Sequence, residues 1–278
     1  DVEGRFSIDD YAREHNLVVT DWAKAKAISA EVLAAGAEPV WIEEPVVALG
    51  EEKGACEIRK ELKSTGIDVG KIETDGCKNE VDGCGNRIDG CENRIDVQRL
   101  QIGSHQVIIT PQDVPVDAQT LQLVPRCIVA GVGCKKGTSA DKIEHAVQEA
   151  FAKAGLRMEA LCAVASIDLK KEEAGLLEFC KTRNVPFETY TAEELQAVPG
   201  TYSASEFVSG VTGVDNVCER SAVKYASEHG MNQGEPLLDR QAKQGELLIR
   251  KQAQDGELLL RKQAYGGVTV ALAYVCSE

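Results

Sequence analysis

The second half of the chain alternates short apolar runs with amphipathic segments, and this order constrains the fold more than any other feature. The apolar runs have the length of strands and are Cys127–Val132, Leu161–Ile167, Phe187–Tyr190 and Val268–Tyr274. The segments with helical spacing are Ser139–Ala154, Glu172–Thr182, Ala192–Ala197 and Val214–Ser227. Strands that alternate with helices usually pair in parallel. The sequence therefore predicts an α/β fold whose C-terminal domain has a mainly parallel sheet flanked by helices.

The first part of the chain predicts a second, smaller α/β domain. Its predicted helices are Ile8–His15, Trp22–Ala35 and Cys56–Ser64, and its predicted strands are Leu17–Val19, Val40–Ile42 and Val107–Thr110. Gly36 follows the second helix and Pro111 follows the last strand, and both residue types commonly end such elements. We interpret Pro111–Pro115 as a linker, which divides the chain into a domain over residues 1–115 and a domain over residues 116–278.

Two tandem repeats interrupt this pattern. The first reads DGCKNEV, DGCGNRI, DGCENRI from Asp75, and its apolar residues recur at heptad spacing. We interpret it as a duplicated surface insertion, because its three thiols do not complete a tetrahedral metal site by local spacing. The second reads GELLIRKQAQD and GELLLRKQAYG from Gly245. Its recurrent glycines favour strands joined by tight turns over a helix of eleven-residue period. We expect neither repeat to carry the chemistry.

Composition and charge exclude several classes of protein. Lys and Arg number 31 against 45 Asp and Glu, and the resulting net charge of −14 does not suit a general nucleic-acid binder. No apolar run approaches the roughly 18 residues that span a bilayer. The ten cysteines include no C-x-x-C pair, so we expect a cytoplasmic protein without structural disulfides. The four histidines are scattered, and we expect no dedicated metal site. A chain that begins at Asp1 without a signal peptide indicates a fragment or a processed protein.

The glycine-rich segment Gly131–Ser139 is the most informative for function. Its candidate ligand-binding residues are Gly131, Gly133, Cys134, Lys135, Gly137 and Thr138. Backbone N–H groups at the start of the next helix, together with the lysines, make a suitable anion site. The spacing fits neither the phosphate-binding P-loop nor the dinucleotide fingerprint, so a ligand loop and a structural turn both stay open. For Cys134, an inert thiol is favoured over a nucleophile because no histidine is near in sequence.

Polar residues also follow the next predicted strand. Ser166, Asp168 and Lys170 lie at its end, and ligands of open α/β sheets gather at the carboxyl ends of strands. Asp168 and Lys170 therefore offer a carboxylate and an ammonium group for proton transfer or substrate anchoring. The alternative is a helix cap with a solvated run of charges. Glu219, on a later predicted helix, either caps that helix or lines the cleft.

Several segments in order resemble the cobalamin-biosynthesis CbiG/CobE family. They are LVPRCIVAGVGCKKGTSADKIEHAV, AVASIDLKKEEAGLLEF, FETYTAEEL, TGVDNVCERSAV and GGVTVALA. Upstream, DVEGRFSIDDYAREHNL resembles the junction after the family's N-terminal domain, and the region to Thr110 resembles its middle domain. The resemblance covers nearly the whole chain except the two repeats, and the combination of segments is more specific than any one of them.

The resemblance implies a hydrolase of the anaerobic vitamin B12 pathway. Such enzymes open the δ-lactone of cobalt-precorrin-5A and release acetaldehyde, giving cobalt-precorrin-5B. The partner is then a cobalt-corrinoid substrate, and no separate cofactor is needed because the substrate carries the cobalt. The resemblance implies that the Gly133–Thr138 amides donate hydrogen bonds to an anion or oxyanion and that Asp168 acts as the base. Lys135 and Lys170 are expected to bind substrate carboxylates, and Lys262 corresponds to a lysine of relatives. Whether the chain forms a homodimer or contacts neighbouring pathway enzymes stays open.

The chain departs from the family pattern in two respects. The family's N-terminal domain is missing, and the tract Lys243–Ala264 duplicates a segment that relatives have once. One alternative is therefore a non-catalytic tetrapyrrole-binding module, as the shorter CobE-like relatives suggest. A third alternative is an α/β domain that binds a phosphate-containing ligand.

Overall fold

A computed structural model describes residues 6–35, 39–41, 97–203, 213–230 and 258–275. All of these residues belong to one compact unit of the chain, which comprises residues 1–42 and 94–278. The predicted helix Cys56–Ser64 and the first tandem repeat lie outside the described residues, as does most of the second repeat.

The first sheet contains five strands in the order β1-β5-β4-β3-β2. The strands are β1 (Leu17–Val19), β2 (Val40–Trp41), β3 (Gln98–Ile102), β4 (His105–Ile109) and β5 (Thr120–Pro125). Only β4 and β5 pair in parallel, and the other pairs are antiparallel. Helices α1 (Ile8–Glu14) and α2 (Trp22–Ala35) contribute Ile8 and Ile28 to the core of this sheet.

Strand β5 lies on the C-terminal side of the predicted linker, yet it pairs with β4 and β1 of the first sheet. The sequence analysis predicted neither β3 nor β5. Each strand has a buried glutamine, Gln98 in β3 and Gln122 in β5. Because these buried positions are polar, the sequence of neither strand shows a clear alternation of apolar and polar residues. The division at residue 115 stays a prediction.

The second sheet also contains five strands, in the order β8-β7-β6-β10-β9. They are β6 (Ile128–Cys134), β7 (Leu161–Ile167), β8 (Phe187–Tyr190), β9 (Leu258–Tyr265) and β10 (Val268–Tyr274). The helices are α3 (Ala140–Lys153), α4 (Ala174–Arg183), α5 (Ala192–Gln196) and α6 (Val217–His229). Strands β6, β7 and β8 are parallel, whereas β10 pairs antiparallel with β6 and with β9.

The predicted α/β class is confirmed. Two of the four strand pairs in the second sheet are parallel, and the other differences from the predicted elements of this sheet are local. Strand β6 continues to Cys134, so Gly131 and Gly133 lie within the strand and the turn is shorter than predicted. Helix α6 begins at Val217 rather than Val214 because Asn216 caps it, its side-chain oxygen accepting a hydrogen bond from the Glu219 amide. The final copy of the second repeat forms β9, as favoured from its glycines, and Gly266 and Gly267 make the turn to β10 with φ of +57° and +94°.

Helices cover both faces of the second sheet. On one face, Ile143 and Phe151 of α3 and Phe179 of α4 pack with the strand residues Ile128 and Val132. On the other face, Ala222 and Tyr225 of α6 pack with Val129 and Ala163. Alternate strand residues thus contribute to opposite cores, which gives a three-layer arrangement. Among the described helices, none is both long and apolar enough to cross a bilayer. The five cysteines in the described ranges form no disulfide.

Candidate functional site

Most of the candidate residues predicted from the sequence lie at one edge of the second sheet. The parallel strands β6 and β7 end at Cys134 and Ile167, and their following turns lie side by side. The turn after β6 carries Lys135, Gly137 and Thr138, and a 3-10 turn over Asp168–Lys170 follows β7. Because parallel strands end at the same edge, this is the position at which open α/β sheets bind ligands.

Glu173 connects these two turns, although the sequence analysis did not single it out. Its Oε1 accepts a hydrogen bond from the Gly137 amide at 2.6 Å, and its Oε2 lies 3.1 Å from the Lys170 ammonium nitrogen. Burial raises the pKa of the Glu173 carboxyl group, but the Gly137 amide and the Lys170 ammonium group outweigh it, so the pKa is lower than usual. Glu173 therefore remains ionised and holds Lys170 beside the turn after β6.

The turn after β6 is also closed by its own backbone. The Thr138 hydroxyl donates a hydrogen bond to the Lys135 carbonyl at 2.7 Å, and the Thr138 amide donates to the same carbonyl at 3.3 Å. Gly137 has φ of +75°, which favours glycine. The Gly137 and Thr138 amides, both proposed from the sequence as anion donors, are thus engaged within the protein in this conformation.

Three candidate residues lie within the sheet and are tightly packed there. A side chain at Gly131 would place its Cβ 1.8 Å from the carbonyl oxygen of Cys218, and one at Gly133 would meet the Thr269 hydroxyl at 2.6 Å. The fully buried Ser166 donates a hydrogen bond to the Val132 carbonyl at 2.6 Å. Close packing thus accounts for the glycine at position 131 without a ligand.

Cys134 is half-buried next to this edge. Burial raises the pKa of its thiol, and the Glu173 charge raises it further. The Lys170 charge and a hydrogen bond with the Thr138 side chain lower it, but the pKa stays above its usual value. A raised pKa leaves little thiolate at neutral pH, so the surroundings do not activate Cys134 as a nucleophile. The inert thiol favoured from the sequence stays a prediction.

Asp168 and three lysines carry exposed charges that form no ion pair in the described part of the chain. Among the described residues, no hydrogen bond or ion pair is recorded for the carboxylate of Asp168 or for the ammonium groups of Lys135, Lys136 and Lys171. Asp168 is exposed, and the aliphatic part of Lys135 lies beside Gly267 in the β9–β10 turn. These charged groups are available to a ligand in the absence of any rearrangement.

Glu219 and Lys262 contact each other at the start of α6, and not at the turns that follow β6 and β7. The Glu219 carboxylate is fully buried and accepts hydrogen bonds from the Ser203 amide, the Ser203 hydroxyl and the Lys262 amide, at 2.9, 2.8 and 2.7 Å. The buried Asn216 completes the cluster through hydrogen bonds from the Glu219 amide and to the Ser203 carbonyl. Sequence reasoning missed Ser203 and Asn216, which carry no motif of their own.

Metal ligands do not gather in the part of the chain that the structure describes. No group of three or more His, Cys, Asp or Glu side chains there is arranged to hold a metal ion.

Comparison with known proteins assigns the second sheet to a family. The family model described as "Cobalamin synthesis G C-terminus" matches residues 128–273, slightly more than half of the chain. The chain belongs to this family. Every candidate site residue predicted from the sequence, from Gly131 to Lys262, lies within the matched region of this cobalamin synthesis G family member.

Curated relatives include two cobalt-precorrin-5A hydrolases. That of Priestia megaterium is 33% identical over 102 residues, which is 37% of this chain and 27% of the relative. That of Salmonella typhimurium strain LT2 is 33% identical over 119 residues, which is 43% of this chain and 33% of the relative. The chain thus aligns with a third or less of the length of these hydrolases. Protein CobE of a Sinorhizobium species is 33% identical over 97 residues, 34% of this chain and 63% of that protein.

Solved structures of related proteins include two from cobalamin biosynthesis. CobE, described as a protein from the cobalamin (vitamin B12) biosynthetic pathway, is 25% identical with a TM-score of 0.43, over 54% of this chain and 92% of that chain. The cobalamin biosynthesis protein chiG from Agrobacterium tumefaciens is 26% identical with a TM-score of 0.34, over 54% of this chain and 99% of that chain.

Proposed function

We propose that this family member acts in cobalamin biosynthesis as a cobalt-precorrin-5A hydrolase that binds its corrinoid substrate at the carboxyl edge of β6 and β7. The proposed reaction opens the δ-lactone of cobalt-precorrin-5A and releases acetaldehyde, giving cobalt-precorrin-5B. The observation that carries the proposal is the set of lysines at the carboxyl edge of β6 and β7, in a chain that belongs to the cobalamin synthesis G family.

The charge of these lysines supports a ligand rich in carboxylates. Lys135, Lys136 and Lys171 form no ion pair among the described residues, although the Lys136 charge acts on the nearby Glu173 and the chain as a whole carries a net charge of −14. Ammonium groups that are not neutralised in an acidic protein attract anions locally against the overall field. Corrinoid precursors carry several peripheral carboxylates, which such a group of lysines can bind.

The proposed chemistry is the hydrolysis of an ester. One water adds to the lactone carbonyl, and the ring oxygen departs as a hydroxyl on the extruded two-carbon unit. This hydroxyl then loses its proton, the carbon–carbon bond between the unit and the macrocycle breaks, the macrocycle keeps the electron pair and takes up a proton, and the unit leaves as acetaldehyde. We assign Asp168 as the base that takes the proton from the water, because its carboxylate is exposed at this edge and has no recorded partner in the described residues. Lys170, held by Glu173, anchors a substrate carboxylate or stabilises the developing oxyanion.

Incubation with cobalt-precorrin-5A under anaerobic conditions tests the proposal. We expect the chain to shift the visible absorption of the corrinoid and to release acetaldehyde. Asp168→Asn and Lys170→Ala should lower the release at least tenfold, the size expected when a general base or charged group is removed. Glu172→Gln, an exposed neighbour, is the matched control and should leave the release unchanged. A chain that neither binds the corrinoid nor releases acetaldehyde contradicts the proposal.

A second candidate function is a corrinoid-binding module without catalytic activity. The observation that favours it is how much of each relative's length aligns with this chain. The aligned part is 63% of Protein CobE but only 27% and 33% of the two hydrolases. Under this alternative the chain binds the corrinoid with the same dependence on lysines, but no acetaldehyde is released. The same incubation therefore distinguishes the two functions.

A further inference from the structure

Strand β9 contains an irregularity at Lys262. Gln263 pairs with Val270 and Leu260 pairs with Leu272, so β9 has one residue more than β10 between these two pairs. The extra residue is a β-bulge over Arg261 and Lys262. Bulges interrupt the ladder of backbone hydrogen bonds, and they are frequent beside active sites, where they redirect a side chain.

The amide of Lys262 has a buried partner at this bulge. It donates a hydrogen bond of 2.7 Å to Oε1 of Glu219, which is fully buried on the first turn of α6. The other hydrogen bonds of this carboxylate come from the amide and hydroxyl of Ser203, in the segment that follows α5. A carboxylate without contact to water needs such donors, and each is stronger than a neutral hydrogen bond. Glu219 therefore fixes the position of the bulge relative to α6.

The ammonium group of Lys262 remains available. No hydrogen bond or ion pair of its side chain is recorded within the described ranges, although its backbone is held. Lys262 lies three residues before Tyr265, the last residue of β9. The β9–β10 turn reaches the edge at which β6 ends, because Val268 pairs with both Tyr265 and Cys134.

We propose that Glu219 is a positioning residue for Lys262: it holds the bulge so that the Lys262 ammonium group binds a peripheral carboxylate of the corrinoid. The inference rests on the proposed function and adds to it. The sequence alone treated Glu219 and Lys262 as separate ligand-binding residues, whereas the contacts make Glu219 act through Lys262. Both oxygens of Glu219 are occupied by protein donors, so the substrate meets the lysine and not the carboxylate.

A double-mutant cycle in the full chain tests this inference. The variants are Glu219→Gln, Lys262→Ala and the two combined, and the probe is cobyrinic acid, a cobalt corrinoid with free peripheral carboxylates. Affinity is measured by titration of the visible spectrum, with the fully esterified corrinoid as a second probe. Ser203→Ala is the matched control, because it removes one donor to the same carboxylate and leaves the Lys262 contact in place. Thermal unfolding with each variant verifies folding.

The expected result is a loss of affinity of about tenfold for Lys262→Ala, the value of one charge-assisted hydrogen bond. Glu219→Gln should cause a similar loss, and the double variant should be no weaker than either single one. The esterified probe should show none of these differences. Ser203→Ala should keep its full dependence on Lys262. If Glu219→Gln does not fold, Glu219→Asp, whose shorter side chain withdraws the carboxylate from the Lys262 amide, takes its place in the cycle with the same expected result.

Different failures have different meanings. If cobyrinic acid does not bind the unmodified chain, the proposed function fails and this inference fails with it. If the probe binds but Lys262→Ala has no effect, or the effects of Glu219→Gln and Lys262→Ala add, the inference is overturned and the proposed function stands. Equal losses with the esterified probe also overturn it, because they indicate a general structural effect and not the recognition of a carboxylate.

Discussion

The Oε1 atom of Glu173 lies 2.6 Å from the backbone nitrogen of Gly137, and this contact joins the turns that follow two neighbouring parallel strands. The other oxygen of the same carboxylate binds Lys170. A single ionised group therefore sets the distance between the amides after β6 and the ammonium group after β7. Any ligand bound at this edge meets both turns in a fixed arrangement, which lowers the entropy cost of binding.

Glu173→Gln should destabilise the chain at neutral pH by about 1 kcal/mol, because glutamine retains an acceptor for Gly137 but loses the charge that binds Lys170. The pKa of Glu173 is lower in the folded chain than in the unfolded chain, so its contribution is complete above about pH 4.3. It is lost as the pH falls through the folded value. Denaturant unfolding of both proteins from pH 7 to pH 3 measures this, and the difference should shrink towards low pH. Glu172→Gln is the control, and a difference that grows on acidification contradicts the prediction.

Two glycines of β6 offer a graded test of packing. Gly131→Ala would place a Cβ 1.8 Å from the rigid carbonyl of Cys218, so the start of α6 must move, and we expect a loss of about 3 kcal/mol. Gly133→Ala meets only the Thr269 hydroxyl, which rotates, and should cost about 1 kcal/mol. Thermal unfolding of the pair measures the two losses. Equal losses, or a greater loss for Gly133→Ala, would show that α6 does not approach β6 as described.

Sequence reasoning was accurate where local pattern and packing agree. The bounds of β7, β8 and β10 are those predicted from apolar runs. In α3, Ile143 and Phe151 are apolar residues at helical spacing within the predicted segment, and both are fully buried. Such positions are set by which side chains leave water, and that information is present in each short segment.

The remaining features depend on contacts between residues that are distant in sequence. Strand β5 buries Gln122, whose amide group donates hydrogen bonds to the carbonyls of Thr110 and Gln112. No local pattern signals that the NH2 group of a buried glutamine will find these two carbonyls. The same holds for Glu219, which binds a residue 16 positions before it and another 43 positions after it. Candidate residues can be chosen by type from the sequence, but their partners cannot, and their functional roles stay predictions.

The cap of α6 should contribute more than an exposed cap. Asn216 is fully buried, and its side chain accepts a hydrogen bond from the Glu219 amide and donates one to the Ser203 carbonyl. Asn216→Ala leaves both groups unsatisfied and should cost about 2 kcal/mol. Ser7→Ala, which removes the cap of α1 with its longer hydrogen bond of 3.4 Å, is the matched control and should cost at most about 1 kcal/mol. Chemical denaturation compares them, and an equal cost would mean that Asn216 acts only as an ordinary cap.

Alkylation of Cys134 tests whether this thiol is activated. Burial raises its pKa, and the Lys170 charge lowers it while the Glu173 charge raises it. Iodoacetamide at pH 8 should therefore modify Cys134 more slowly than N-acetylcysteine, since only the thiolate reacts. Lys170→Met should slow the reaction further and Glu173→Gln should accelerate it, as peptide mass spectrometry can follow. Cys162, whose pKa is raised to about 12 by burial, is the internal control and should react more slowly still. Modification of Cys134 faster than the free thiol would instead favour a nucleophile at the edge of β6 and would displace Asp168 from its proposed role.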